Sequence, residues 1–275
     1  MTVAVVGLGA MGSRIAGRLL GAGYDVVVWN RTAEKAKPLV ERGATLADSP
    51  ADAAARAEAV IVMVADPSAL ESVTADLAGA TVIQMSTVSP TAVARLASRL
   101  PDLLDAPVLG SIGEAESGTL KIFVGGPAQF FERWKPLLSV LGQPLHVGPV
   151  GAGTAAKLVA NTTLVGVIGL LGEALALGEG LGLARDVVFD VLAQTPLAQQ
   201  AERRRPAVEA DDYPPRFALY LARKDAELIL EAAPEAGVDL RLVPAARSWL
   251  ADAEAAGRGG DDYSAVLAEI LRQSE

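Results

Sequence analysis

Short apolar runs alternate with stretches of helical period through the first half of this chain, and after residue 153 the runs stop. Residues 2–6, 25–29, 59–64, 81–85, 103–108, 121–126 and 144–148 read as strands. Several carry no polar alternation at all, as expected when both faces of a parallel sheet are covered. Between them, residues 10–20 place Ile15, Leu19 and Leu20 on one side and Arg14 and Arg18 on the other. Residues 33–43, 51–57, 90–100 and 130–141 repeat that period, the second of these with Asp48 or Ser49 as its cap. Beyond Gly153 the pattern predicts one long apolar helix from Lys157 to about Gly180. Helices over 185–193, 197–209, 217–233, 244–256 and 263–272 follow. The expected fold is therefore α/β. An N-terminal doubly wound α/β domain, residues 1–152, precedes an all-α C-terminal domain, residues 153–275, and a long interdomain helix joins them. The cleft between domains is the expected ligand site.

The first strand runs directly into Gly7-Leu8-Gly9-Ala10-Met11-Gly12, and a helix and a second strand follow. A G-x-G-x-x-G between a strand and a helix allows a tight turn, close backbone approach to a pyrophosphate and close helix–strand packing. The helix N-terminus adds N–H donors and positive potential for the phosphates, so residues 1–152 are expected to form a Rossmann dinucleotide-binding domain. The second strand ends in Asn30-Arg31-Thr32, where an NAD enzyme usually carries a carboxylate for the ribose. Arg31 offers a donor fork to a 2′-phosphate, and Asn30 and Thr32 offer neutral hydrogen bonds, which points to NADP. NAD remains possible if Glu34 binds the ribose instead. Ala65-Asp66-Pro67 and Ser86-Thr87 lie at the same strand-end rim, where capping and ligand contact are alternative roles.

A second glycine turn, Gly151-Ala152-Gly153, opens the long helix. Lys157 and Asn161 lie four residues apart and project from one face of it. The positive end of the helix dipole disfavours an ammonium ion, so Lys157 is a candidate proton donor and acceptor. Taken alone, the pair favours a solvated lysine and a polar packing residue, and only its surroundings make it a candidate site.

Composition narrows the chemistry. There is no cysteine, which excludes thiol nucleophiles, disulfides and Cys-ligated zinc and suits a reducing cytoplasm. A single histidine, His146, leaves no pair for a metal, and its place in an apolar strand reads as structural. The net charge of −9 argues against nucleic-acid binding. The apolar run over 158–171 is short of the ~20 residues that span a bilayer and reads as a buried helix.

These motifs, with Met85-Ser86-Thr87-Val88, Asp105-Ala106-Pro107-Val108, Gly118-Thr119-Leu120, Tyr213-Pro214-Pro215 with Phe217, and Lys224-Asp225, resemble the β-hydroxyacid dehydrogenases over nearly the whole chain. That family includes 3-hydroxyisobutyrate dehydrogenase and the glyoxylate/succinic semialdehyde reductases, the branch this chain is most similar to. The resemblance implies that Lys157 exchanges a proton with the substrate oxygen and that Asn161 orients the substrate. It implies that Val64, Ala65 and Thr87 line the cofactor, that Lys224 reaches it and that Phe217 closes the pocket. A homodimer or homotetramer through the helical domain is also implied.

The turn expected to hold a substrate carboxylate departs from the family pattern. It reads Leu109-Gly110-Ser111, with Glu114 in place of a usual glycine. Leu109 has no hydroxyl, so the Gly110 and Ser111 N–H groups and the Ser111 hydroxyl remain as donors; Glu114 faces water or favours a cationic or non-acid substrate. The implied activity is reversible reduction of a small aldehyde or keto acid by NADPH. An imine reductase of the same architecture is the nearer alternative, although those enzymes carry Asp or Tyr at the lysine. A catalytically silent dinucleotide sensor or scaffold is the alternative outside enzymes.

Overall fold

The computed structural model describes residues 1–274. Nine strands form one sheet: β1 Thr2–Val6, β2 Asp25–Trp29, β3 Thr45–Leu46, β4 Ala59–Val62, β5 Val82–Gln84, β6 Leu103–Asp105, β7 Val108–Leu109, β8 Leu120–Gly125 and β9 Gly142–Gly148. The order is β3-β2-β1-β4-β5-β6-β8-β7, with β9 beside β8. The six strands from β3 to β6 run parallel, β8 is antiparallel to β6 and β7, and β9 is parallel to β8. This is the doubly wound order, with its reversal point between β1 and β4.

The helices of this half are α1 Ala10–Gly21, α2 Lys37–Val40, α3 Pro50–Ala55, α4 Pro67–Thr74, α5 Pro90–Ala97, α6 Ile112–Ser117 and α7 Ala128–Leu141. They cover both sheet faces. One apolar layer contains Val3, Val5, Ile15, Leu19, Trp134 and Leu138, and the other Val60, Val62, Leu70, Val93 and Leu96. Ser49 caps α3 by accepting from Asp52 N–H, so of the two candidate caps it is the serine. His146 stacks on Phe131 at 5.0 Å, and its Nε2 lies 2.8 Å from Gly126 O, a structural role.

Several local details differ from the sequence reading. Residues 33–43 are a 3₁₀ turn followed by one turn of α-helix, because Pro38 lacks a backbone donor there. The expected strand over 103–108 breaks into β6 and β7 at Ala106-Pro107, again where a proline removes a ladder donor. The expected turn after Leu109 contains the helix α6.

The long helix is α8, Ala152–Gly180, followed by α9 Arg185–Leu192, α10 Ala198–Ala210, α11 Leu219–Glu235, α12 Leu242–Ala253 and α13 Val266–Leu271. At 29 residues α8 is long and apolar enough to cross a membrane by length and composition. The 14-residue apolar run had underestimated it. Its apolarity has a packing cause, since Leu158, Val165, Ile168, Leu171 and Leu175 enter the core of the helical half. The chain divides into two compact units, Met1–Lys157 and Leu158–Glu275. The division falls inside α8, immediately after Lys157.

Candidate active site

The glycine loop has the shape a dinucleotide needs. Gly7 has φ +97°, and a Cβ there would lie 2.2 Å from the Met63 carbonyl oxygen. A Cβ on Gly12 would lie 1.9 Å from Gly7 O, so β1 and α1 approach as closely as only glycine permits. At Gly9 a Cβ would meet nothing within 4 Å. The loop is tight on its protein side and open at its middle glycine, beside the N-terminus of α1. That terminus has no side-chain cap and no acidic residue in its first turn. The residues present fit a bound pyrophosphate, with Leu8, Ala10 and Met11 between the glycines.

The neighbouring strand ends are braced by side chains. Asn30 Oδ1 accepts from Leu8 N–H at 2.8 Å, and its Nδ2 donates to Thr32 O at 2.9 Å. Both ends of the Asn30 amide therefore fix the loop against the β2 tip. Arg31, Thr32 and Lys35 are exposed, and neither cation is paired among the described residues. Lys35, three residues past Thr32, joins the candidate set. Ser86 Oγ accepts from Val64 N–H at 2.9 Å, and Gln84 Nε2 donates to Ser86 O at 2.9 Å. These bonds tie the Val64-Ala65 rim to the Ser86-Thr87 rim.

The start of α8 is anchored by a residue with no role in the sequence reading. Asp105, fully buried at the end of β6, accepts from Thr154 N–H at 2.6 Å and from the Thr154 hydroxyl at 2.8 Å. Burial pushes its carboxyl up to about 6, against the pull of the bonds from Thr154 and Gly151. A Cβ on Gly153 would lie 2.2 Å from Asp105 O and 2.6 Å from Phe123 O, so the helix rests directly on strand carbonyls. Lys157, buried at 7% exposure, is one turn further on. The buried carboxylate offsets the positive helix end that the sequence reading had counted alone.

One turn beyond Lys157, Asn161 is also buried, at 1% exposure. Its Nδ2 donates to Asp225 Oδ2 at 2.7 Å, and Lys224 Nζ contacts Asp225 Oδ1 at 2.8 Å. Asp225 thus joins two sequence-predicted residues, 63 positions apart, and fixes which way the Asn161 amide faces. Asn161 Oδ1 is left buried without a hydrogen-bond partner. The signal for Asp225 was its place on the buried face of α11 with Ala222 and Ile229.

Phe217 is half-buried, with its ring 5.7 Å from that of Tyr263. Its segment hangs on Asp262, which accepts from the N–H groups of Arg216 (3.3 Å) and Phe217 (3.1 Å) and from the Ser264 hydroxyl (2.6 Å). Arg204 lies 3.5 Å from that carboxylate.

At the turn after β7, the Ser111 N–H and hydroxyl both donate to Glu114 Oε2, at 2.8 and 2.6 Å. The two Ser111 donors left for a substrate by the sequence reading are thus taken by a carboxylate of the chain itself. Glu114 turns back to its own helix start rather than simply facing water. A groove of about 680 Å³ between α1 and α2, lined by Arg14, Arg18, Lys35 and Arg42, includes Leu8 but none of these catalytic candidates. It is no guide to the reacting centre.

Open glycine loop, doubly wound sheet and helical second half define a nicotinamide-dinucleotide oxidoreductase. The family model described as the NAD binding domain of 6-phosphogluconate dehydrogenase matches residues 2–159. The one described as NAD-binding of NADP-dependent 3-hydroxyisobutyrate dehydrogenase matches residues 151–270. The chain is 32% identical to glyoxylate/succinic semialdehyde reductase 1 of Arabidopsis thaliana, over 98% of each chain. It superposes on Mycobacterium tuberculosis 3-hydroxyisobutyrate dehydrogenase with a TM-score of 0.89 and 28% identity, covering 98% of each chain. Against an imine reductase from Pseudomonas sp. the TM-score is 0.64 at 26% identity, covering 98% and 99%. The chain belongs to the β-hydroxyacid dehydrogenase family and is an NAD(P)-dependent hydroxyacid dehydrogenase.

Asp105 makes stability depend on pH in a direction opposite to that of a salt-bridged carboxylate. Its folded value, about 6, lies above the ordinary 3.8. The fold therefore binds this proton more tightly than the unfolded chain does. The associated stability is fully present below about pH 4 and is lost as pH rises through about 6. Asp105→Asn removes the titration. Denaturant unfolding of both proteins should show the wild type losing on the order of 2–3 kcal/mol relative to the variant between about pH 4 and 7. A constant difference would contradict the assignment.

Proposed function

We propose that the chain reduces a small aldehyde or keto acid, of the glyoxylate or succinic semialdehyde kind, with NADPH, and runs in reverse as a 3-hydroxyacid dehydrogenase. The observation that carries this is the buried pair on α8, Lys157 with Asn161, whose amide Asp225 holds with one acceptor unpartnered. A bound nicotinamide supplies or accepts the hydride. The Lys157 ammonium gives its proton to the carbonyl oxygen as negative charge builds there and retrieves it in the oxidation direction. Asn161 Oδ1, buried and without a partner while Asp225 holds the other end of the amide, accepts from the substrate hydroxyl. Gly7, Gly9 and Gly12 with the first turn of α1 hold the pyrophosphate. Val64, Ala65 and Thr87 line the cofactor, and Lys224, steadied by Asp225, reaches it. Arg31 and Lys35 offer unpaired positive charge to a 2′-phosphate, with Thr32 beside them and no strand-end carboxylate opposing it; this supports NADP over NAD. Phe217 closes the pocket.

Glu114 favours a second reading of the substrate. With Ser111 satisfied internally and Leu109 lacking a hydroxyl, the turn has fewer donors for an acid group. A neutral carbonyl or an imine then becomes the better occupant. The intact Lys157 and the closer likeness to the 3-hydroxyisobutyrate dehydrogenase keep carbonyl reduction ahead of imine reduction.

We also infer that two copies pair through α8. Val159, Leu170 and Leu177 are 68%, 55% and 64% exposed. With Thr163, Gly166 and Glu173 they form one stripe at spacings of three and four, the pattern by which like helices pack together. A Cβ on Gly166 would meet nothing within 4 Å, so a second helix can approach closely there.

Lys157→Met should lower kcat by about 10²- to 10⁴-fold with the NADPH dissociation constant unchanged, measured by NADPH oxidation and by fluorescence titration. An active variant, or wild-type preference for NADH, removes the corresponding assignment. Glu114→Ala should raise kcat/KM for succinic semialdehyde about tenfold and leave that for pentanal within about twofold; an unchanged ratio excludes Glu114 from substrate selection. Leu170→Glu with Leu177→Glu should elute as a monomer by light scattering where the wild type is a dimer or larger. A monomeric wild type would sink the pairing.

A further inference from the structure

We propose that Asp105 is a positioning residue for Lys157, and that its pairing with Thr154 sets the rotation of α8 on which proton transfer depends. The inference rests on the role proposed for Lys157 and goes beyond it, because Asp105 holds the start of the helix that carries Lys157. Asp105, Thr154 and Lys157 belong to the same compact unit. Thr154 is the third residue of α8 and Lys157 the sixth, so they lie one turn apart on neighbouring faces.

Two kinds of contact fix the helix start. The Gly153 backbone sits against the carbonyls of Asp105 and Phe123, which sets the distance of α8 from the sheet. That contact alone leaves rotation about the helix axis weakly constrained. The Asp105 carboxylate adds an angular constraint at the first turn. One oxygen holds the Thr154 N–H, a backbone point, and the other holds the Thr154 hydroxyl, a point displaced from the axis. Two bonds at different radii define an angle as well as a position. Simple capping would require only the backbone bond.

Rotation matters because a lysine amine lies far from its own helix axis. A small turn at Thr154 becomes a displacement of the order of 1 Å at Nζ, and such a misplacement costs about 10²-fold in rate. The buried carboxylate is costly to keep charged, as its raised pKa records, and its side chain is closed off from solvent.

The test uses Asp105→Asn, Thr154→Val, their double variant and Thr154→Ser in the full chain. The readouts are kcat, KM for the best carbonyl substrate, the NADPH dissociation constant and Tm. Asp105→Asn and Thr154→Val should each lower kcat about tenfold or more while KM and NADPH binding stay within about threefold. The double variant should be no slower than the worse single, because both break one unit. Thr154→Ser, which keeps both donors, should retain wild-type kcat. Unchanged kcat in a folded Asp105→Asn or Thr154→Val protein overturns the proposal. So does a fall in Tm with KM and NADPH binding worsening as much as kcat, or multiplicative effects in the double variant. If neither variant folds, the pair serves folding and the proposal fails. An active Lys157→Met would instead overturn the lysine reading, and this inference with it. An inactive Lys157→Met beside an unaffected Asp105→Asn would overturn this inference alone.

Discussion

The seat of α8 on the sheet is the constraint on which the rest of the chemistry depends. A 29-residue helix leaves the sheet at Gly151-Ala152-Gly153 and carries both Lys157 and Asn161. Its first turn presses bare backbone onto the carbonyls of Asp105 and Phe123, and the Asp105 carboxylate grips Thr154. The contact is possible only because residue 153 has no side chain. A carboxylate buried this deeply is normally unfavourable. Here its desolvation is offset in part by donors at a helix N-terminus, which also favours negative charge.

The same device recurs through the site. Residues proposed to touch ligands are held in place by other polar side chains. Asn30 holds the glycine loop to the β2 tip, Ser86 and Gln84 join two strand ends, Asp225 orients Asn161, and Asp262 carries the Phe217 segment. Each support is a buried or half-buried polar side chain, and Asn30, Gln84, Asp225 and Asp262 each make two or more contacts, which fixes their rotamers. Glu114 is the exception in purpose. It takes both the Ser111 N–H and the Ser111 hydroxyl, donors that the resemblance would give to a substrate carboxylate.

The strand–glycine loop–helix–strand unit was legible in the sequence because everything that specifies it is local: period two, period 3.6 and three glycines at fixed offsets. Lys157 and Asn161 were legible as a pair for the same reason. Their supports were not. Asp105 finds Thr154 49 positions away and Asn161 finds Asp225 64 positions away, so only the fold brings them together. Asp105 did leave a trace as the single charge in an apolar strand. The Ser111-to-Glu114 spacing is a capping-box signature and was readable. The family pattern drew that turn toward substrate binding and hid its local explanation. The short β3 and the break between β6 and β7 were missed because proline and strand edges, rather than hydrophobic period, decide them.

The central claim is that this chain moves a hydride between NADPH and the carbon of a small carbonyl group. It is tested most directly by following the label. NADPH carrying deuterium at C4, prepared separately on each face, is incubated with wild-type protein and a panel of small aldehydes and keto acids, and the product alcohol is examined by mass spectrometry and NMR. One deuterium on the carbinol carbon, from one face only, is the expected result. NADPH bound but not oxidised under any carbonyl, or oxidised with no label in the alcohol, would contradict the account.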